Sequence, residues 1–502
     1  MLQVHPERTA FFDSYAKGEN QVLWTELVAD MDTAVSLMLK LTAAEADSFI
    51  LESVTGGERR GRYSMIGCKP DLVWRCRGNK AEINRAAQHD RHGGFKRDDK
   101  PALDSLRALI AESSMTMPDG LPPMAAGLWG YLGYDMIRLV ERLPEPNPDP
   151  LDVPDSIMLR PSIIAIVDNV KDQVTLCAPV WHDPGVDADA AYDAAQNRLE
   201  DALTAIDRAP AYTPVTPVPP GAVRAISPVS NTTHDEYLDM VERAKEYIRA
   251  GDIFQVVPSQ RWAIDLEVPA FALYRALRRL NPSPYMFYFD LGGFQIVGAS
   301  PEILVQVKGR RVTIRPIAGT RPRGDDAASD DAMEAELMDD PKELAEHLML
   351  LDLGRNDVGR VAKIGTVDPN EQFTVERYSH VMHIVSNVNG VLRDDQDAVS
   401  ALLAGLPAGT VSGAPKIRAM EIIDELEKEK RGVYAGGVGY FSAGGDMDTC
   451  IALRTGVVKG GKLYVQAGGG VVYDSDPQAE YDETVAKARA LVTAAGLARS
   501  FN

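Results

Sequence analysis

Four glutamates, in two pairs, have the type and spacing to hold a divalent cation. Glu343 and Glu346 stand three residues apart in DDPKELAEHLMLLDLGRND, residues 339–357, and Glu480 and Glu483 repeat that spacing in DSDPQAEYDETVAKARA. Residues three apart are neighbours on one helix face, so a pair can address one ion or one member can anchor the other. A hard cation such as Mg²⁺ takes one or two carboxylates and leaves its other positions to water and an anionic substrate. Either pair alone is ordinarily a solvated helix face. The residues around them change that reading.

Arg454 lies inside an apolar strand, DTCIALRTG, where a guanidinium is costly to bury without an anion. It is either half of a fixed ion pair or a bidentate clamp for a carboxylate. His383, in the β-branched run RYSHVMHIVSNVNG, is a general acid-base candidate or a satisfied core histidine, and His380 competes with it. Thr410, in PAGTVSGAPK, combines a hydroxyl with a loop opening a helix near Pro415, an end that favours anions. The run AGGG at 467–470 offers consecutive N–H groups as an anion nest, although a tight hairpin explains it as well. No phosphate-loop or dinucleotide motif is present, so nucleotide binding has no support.

These residues need elements to position them. Pro341 marks a helix start, and Leu344, Leu348 and Leu351 recur at helical spacing as its buried face. The glutamates at 480 and 483 fall on the first turn of what reads as the last helix. Residues 1–208 mix alternating strands (DLVWRCRG, SIIAIVDNV) with helices (PALDSLRALIAES) in an α+β pattern with mostly antiparallel pairing. The Gly- and aromatic-rich LPPMAAGLWGYLGYDMIR predicts close packing against a neighbouring layer. Residues 209–230 carry six prolines and predict a stiff connector. After it Thr233 and Glu236 form a capping box, Tyr237, Val241, Ala244 and Ile248 an apolar stripe, and Gly251 a stop. Residues 231–502 then alternate β-rich runs with Gly and polar turns, as expected for a large antiparallel sheet with helices outside.

The 502 residues suffice for two to four units with a large core. A net charge of −20, from 53 basic and 73 acidic residues without a block, argues against nucleic acid or an anionic membrane as partner. Cys68, Cys76, Cys177 and Cys450 are too scattered for a disulfide framework or a zinc site and fit a reducing cytosol. No apolar run has signal-peptide or membrane-span character, so a cytoplasmic protein is expected.

Taken together, AEHLMLLDLGRND, GASPE, PIAGTRPRG, SHVMHIVS, GTVSGAPKIRAMEII, GGVGY, MDTCIALR and QAGGGVVYDSDPQAEYDET resemble the chorismate-utilising enzymes, in that family's order and spacing. Within the family the resemblance is to the anthranilate synthase component I branch. It covers nearly all of residues 231–502 and is looser before them. It implies a β-sandwich-like core of large antiparallel sheets with helices packed outside. Glu346 and Glu483 would hold Mg²⁺, with Glu343 and Glu480 beside them, reaching the ion through water. Tyr434, Arg454, the backbone of Gly468, Gly469 and Gly470, and the Gly319–Thr320 turn would bind chorismate. Glu302 of GASPE, as proton donor to the departing hydroxyl, His383 and Thr410 match catalytic positions. NPSPYM and the early LES resemble the family's tryptophan feedback site, with Ser53, Pro284, Tyr285 and Met286 as contacts, and residues 1–208 would be a regulatory and partner-binding unit.

The family's reactions differ at a few positions. Aminodeoxychorismate synthases of the common type resemble PIKGT and use the lysine as nucleophile; here the position is Ala318, so no covalent adduct can form there. The Gln255 position is lysine in isochorismate and salicylate synthases, where it activates water. An amide cannot, which leaves ammonia as nucleophile and anthranilate plus pyruvate as products. No cysteine has the setting of a glutaminase nucleophile, so ammonia is expected from a separate glutamine amidotransferase subunit. Aminodeoxychorismate synthase component I is the alternative among enzymes, and a non-catalytic chorismate-binding regulator the alternative outside them. Val411 and Gly354 are conservative departures from the expected Leu and Ala.

Overall fold

The computed structural model of the chain describes residues 3–42, 45–53, 61–91, 93–209, 226–324, 326–377 and 381–501. Two long neighbouring strands, Tyr63–Arg77 and Ser156–Asp168, organise it. Their pairing slips between Pro70 and Leu72, opposite Pro161 and Arg160, because proline cannot donate to the ladder. Each half of the pair then feeds a different sheet. On the Tyr63–Cys68 side the order runs through Ser48–Glu52, Tyr285–Asp290, Gln295–Ser300, Thr455–Lys459 and Lys462–Gly468 to Ser259–Asp265, with Gln173–Val180 and Gln21–Val28 on the other flank. On the Leu72–Cys76 side it runs through Gly127–Leu132, Gly437–Ser442, Met447–Ile451, Ile303–Lys308 and Arg311–Ile314 to Val381–Val391. All of these pairings are antiparallel.

The strands are apolar on both faces because both are covered. Along Tyr285–Asp290, Phe287 and Phe289 join one buried cluster, while Met286 and Tyr288 join another, the two-residue period of a pleated strand. The first cluster lies between the sheets: Phe49 of one stacks on Trp129 of the other with ring centroids 5.4 Å apart. The other clusters join the outer faces to helices, among them Ala188–Ile206, Ala270–Leu280 and Pro477–Ala498 on one side, and His234–Ala250, Ala398–Gly405 and Lys416–Leu426 on the other. The molecule is an α+β protein with a β-sandwich core and helices outside. No helix among the described residues is long and apolar enough to cross a membrane.

Most of the proline-rich stretch lies outside the described residues, as does His380. Strands from 1–208 and 231–502 share the same sheets, Ser48–Glu52 pairing with Tyr285–Asp290 and Gly127–Leu132 with Gly437–Ser442. The helix His234–Ala250 carries the expected capping box at Thr233 and Glu236 and ends at Gly251 in the left-handed region, φ 83°. Two local expectations are corrected. A Cβ on Gly130 would stand 1.9 Å from the carbonyl oxygen of Ile157, so the close approach is to the adjacent strand rather than to another layer. In the helix Pro341–Gly359 the buried face runs through His347, Leu350, Leu351 and Gly354, and Leu348 is 56% exposed, because the helix rests on Ile317–Pro322 and Val381–Val391 along that stripe.

Candidate active site

A cavity of about 600 Å³ opens where the helices Pro341–Gly359 and Pro477–Ala498 meet the ends of several strands. That volume suits a small, charged ligand. Glu302, Gly319, Thr320, His383, Thr410, Tyr434, Arg454, Gly468 and Gly470 line it, and so do Glu343, Glu346, Glu480 and Glu483. Gly469 does not. Its N–H is spent on the carbonyl of Pro258, and a Cβ there would meet Glu480 at 2.8 Å. The glycine run ends a strand and is not a hairpin: it lets the 255–258 backbone come close, and a Cβ on Gly468 would lie 2.7 Å from Pro258 O.

The acids reach the cavity from two different helices. Pro341 starts its helix behind the Asp340 cap, placing Glu343 in the first turn and Glu346 one turn on; Pro477 and Asp476 do the same for Glu480, while Glu483 falls in the second turn. Burial raises the Glu346 carboxyl above its ordinary range, Glu343 and Glu483 adding to the shift, while Gln255 donates to Glu346 at 3.3 Å. Burial pushes Glu480 up to about 7, against a 2.7 Å hydrogen bond from Ser475. Glu343 and Glu483 are held by cations, Arg321 at 3.2 Å and Lys487 at 2.7 Å. Among the described residues no three acidic or histidine groups converge closely enough to hold a metal by themselves. The set nevertheless fits a hard cation that keeps water and substrate oxygens: Glu480 Oε2 is a buried acceptor without a donor, and like charges crowd Glu346.

The same cavity holds a cation without an ion pair. Arg454 faces the cavity with φ +47°, a backbone strain for a non-glycine residue that clusters at functional sites. Glu302 and Glu483 act on its guanidinium through space, but no described residue pairs with it, and burial draws its pKa down. Arg454 is not inside the expected strand but in the bend between Met447–Ile451 and Thr455–Lys459, and it makes no fixed structural ion pair there. Tyr434 lies beside it, its hydroxyl at the Gly468 backbone and its pKa raised by burial to about 12.

Glu302 is 7% exposed, and burial raises its carboxyl to about 8, so it is protonated at neutral pH. The Thr410 hydroxyl is 3.4 Å from it, in a short turn, Gly409–Val411, ahead of the helix Lys416–Leu426. His383 sits on Val381–Val391 with Nδ1 2.8 Å from the carbonyl of Gly319 and 3.1 Å from Thr320 Oγ1. The carbonyl can only accept, which puts the proton on Nδ1 and leaves Nε2 as the basic nitrogen. Burial lowers the ring's pKa, keeping it neutral.

Of the expected tryptophan contacts, Pro284 lines the same cavity; Ser53, Tyr285 and Met286 do not. Met286 pairs with Glu52, so the LES and NPSPYM segments are adjacent although far apart in sequence, and Ser53 Oγ is buried without a partner. Lys487 was missed: it also donates to Gly468 O at 2.9 Å, and its place four residues after Glu483 was the available signal.

Residues 49–493 match the model of the chorismate binding enzyme family. The chain is 64% identical over 490 residues to anthranilate synthase component 1 of Cereibacter sphaeroides, covering 97% of this chain and 96% of that protein. It is 48% identical to the Pseudomonas putida protein of the same name, over 98% of each. The crystal structure of anthranilate synthase component I from Streptococcus pneumoniae superposes with a TM-score of 0.74 at 35% identity, covering 87% of this chain and 95% of that one. A menaquinone-specific isochorismate synthase from Escherichia coli, 19% identical with a TM-score of 0.68 over 97% and 99% of the two chains, shares the fold. The chain belongs to the anthranilate synthase component 1 family of chorismate binding enzymes.

Proposed function

We propose that the chain is the large subunit of an anthranilate synthase, a cytoplasmic enzyme of tryptophan biosynthesis that converts chorismate and ammonia to anthranilate and pyruvate. The observation that carries this reading is that a guanidinium without an ion pair, Arg454, and a protonated carboxyl, Glu302, line one cavity walled by four acids. Chorismate is a dicarboxylate. Arg454 and Tyr434 take its enolpyruvyl carboxylate, with the Gly468 and Gly470 backbone closing on it. Glu346 and Glu483, with Glu343 and Glu480 beside them, would hold Mg²⁺, which when bound supplies Lewis-acid withdrawal at the ring carboxylate.

Hydroxide is a poor leaving group, and Glu302 removes that obstacle. As ammonia attacks the conjugated ring, the Glu302 proton passes to the departing hydroxyl, which leaves as water, and Arg454 stabilises the carboxylate left behind. The Thr410 hydroxyl orients that carboxyl throughout. The aminated intermediate, aminodeoxyisochorismate, then loses pyruvate when neutral His383 takes the ring proton at Nε2, and the ring becomes aromatic. Free ammonia is scarce at neutral pH, so a glutamine amidotransferase subunit supplies it. L-Tryptophan is the feedback inhibitor, bound where the Ser53 segment meets Pro284, Tyr285 and Met286.

The test incubates the chain with chorismate, Mg²⁺ and an ammonium salt at alkaline pH and follows anthranilate fluorescence. Fluorescence that grows, and is lost with EDTA and in Glu346→Gln, is the expected result. A product aminated without loss of pyruvate would move the chain to aminodeoxychorismate synthesis, and unreacted chorismate would refute the reading.

A further inference from the structure

Behind the cavity wall lies a buried guanidinium that touches neither the cavity nor solvent. Arg431 is 2% exposed and absent from the cavity lining. Its counter-ion is Glu427, four residues earlier and 7% exposed, which accepts from Nε at 3.0 Å. The two remaining nitrogens each donate to backbone, and Nη2 to Glu427 as well. Nη1 donates to Val411 O at 2.6 Å, the residue after Thr410, and Nη2 to Val257 O at 2.6 Å, two residues after Gln255. The guanidinium lies 5.4 Å from the ring of Tyr434 and 4.9 Å from that of Tyr134, and the Tyr434 N–H returns to the Arg431 carbonyl at 3.3 Å. Glu427 also accepts from the Ser259 N–H and hydroxyl, at 2.8 and 2.7 Å, so that hydroxyl accepts in turn from Gln466, a residue of the cavity wall.

A buried ion pair is poor value for stability alone, because removing both charges from water costs about as much as their attraction returns. What the fork of Arg431 gives is geometry: three groups fixed at set angles by one planar cation. Those groups are the turn that carries Thr410, the segment that carries Gln255 and the ring of Tyr434. We propose that Arg431, with Glu427 as its counter-ion, is a positioning residue for the reaction, acting through Thr410 and never touching the substrate. The inference rests on the reaction proposed above.

A double-mutant cycle tests it. A misplacement of about 1 Å in a reacting group can cost roughly 100-fold, so Arg431→Lys, whose ammonium cannot reproduce the fork, should lower kcat by about 10- to 100-fold. On a Thr410→Val background the same change should cost several-fold less than it does in wild type, since the reacting group it positions is gone. Losses that multiply overturn the proposal. The second variant, Arg431→Met with Glu427→Gln, removes both charges together and keeps an acceptor for Ser259. It should lower kcat as far as Arg431→Lys with its melting temperature near the wild type's; wild-type kcat in that variant overturns the proposal. Failure of both variants to fold assigns the pair to stability and overturns it equally. Wild type that makes no anthranilate in the same assay refutes the reaction itself.

Discussion

Replacing Glu302 with glutamine should make the protein a far worse catalyst and, at alkaline pH, a more stable protein. Burial moves this carboxyl from 4.5 to about 8. Each pH unit of that displacement corresponds to about 1.4 kcal/mol, so a Glu302 fully ionised in the fold carries a burden of about 5 kcal/mol. The folded value lies above the unfolded one, so the linked stability is whole below pH 4.5 and is lost as pH rises through 8. Working the two titrations through, wild type should lose about 2 to 3 kcal/mol between pH 6 and 9 from this group, and a glutamine none of it. Urea unfolding of both proteins at the two pH values measures the difference, which should narrow or invert in favour of Glu302→Gln as pH rises. Activity moves the other way: removing a general acid costs roughly 10²- to 10⁴-fold in kcat. In wild type, at a fixed concentration of free ammonia, the rate should fall above pH 8 as the proton is lost. A pH-independent stability difference, or a Glu302→Gln variant of near-normal kcat, would refute the reasoning.

Arg454→Gln should raise KM for chorismate by roughly 100-fold while leaving the melting temperature unchanged or higher, because the guanidinium has no ion pair to lose; lower stability with unaltered KM would return Arg454 to a structural role. Lys416→Met strands the buried Asp357, which accepts from Lys416 Nζ at 2.7 and 2.8 Å, and should cost about 3 to 5 kcal/mol in denaturant unfolding; adding Asp357→Leu should restore most of it. Tryptophan titrated against activity should inhibit wild type at lower concentration than Ser53→Ala, and equal sensitivity would remove Ser53 from the effector site.

The fold was legible where one physical rule dominates. Thr233 and Glu236 at capping-box spacing, and Gly251 where the helix needs a left-handed residue, were read correctly because the signal is local. Leu348 misled for the opposite reason. In a sequence its side chain is as apolar as that of Leu351, and only the line along which the helix meets Ile317–Pro322 and Val381–Val391 decides which is covered. The crossing of the two halves within shared sheets was equally out of reach, since pairing Ser48–Glu52 with Tyr285–Asp290 depends on contacts more than 200 residues apart in the chain.

The site shows the same division at the level of single charges. Arg454 stands out because a cation in an apolar run is anomalous by composition alone, and the structure places it on the cavity with no ion pair, in the bend between two strands rather than within one. Arg431 does not, because DELEKEKRG reads as a solvated run. Within that run Lys428 reaches exposed Glu236, while Glu427 and Arg431 turn inward, a choice made where the helix ends at Leu426 and its period no longer applies. Desolvating the pair is tolerable only because each nitrogen of the guanidinium finds an acceptor, and two of those acceptors are backbone carbonyls of segments that line the cavity. A charge buried at that cost, with its hydrogen bonds aimed at the backbone of reacting groups, is where precision in the site has to come from.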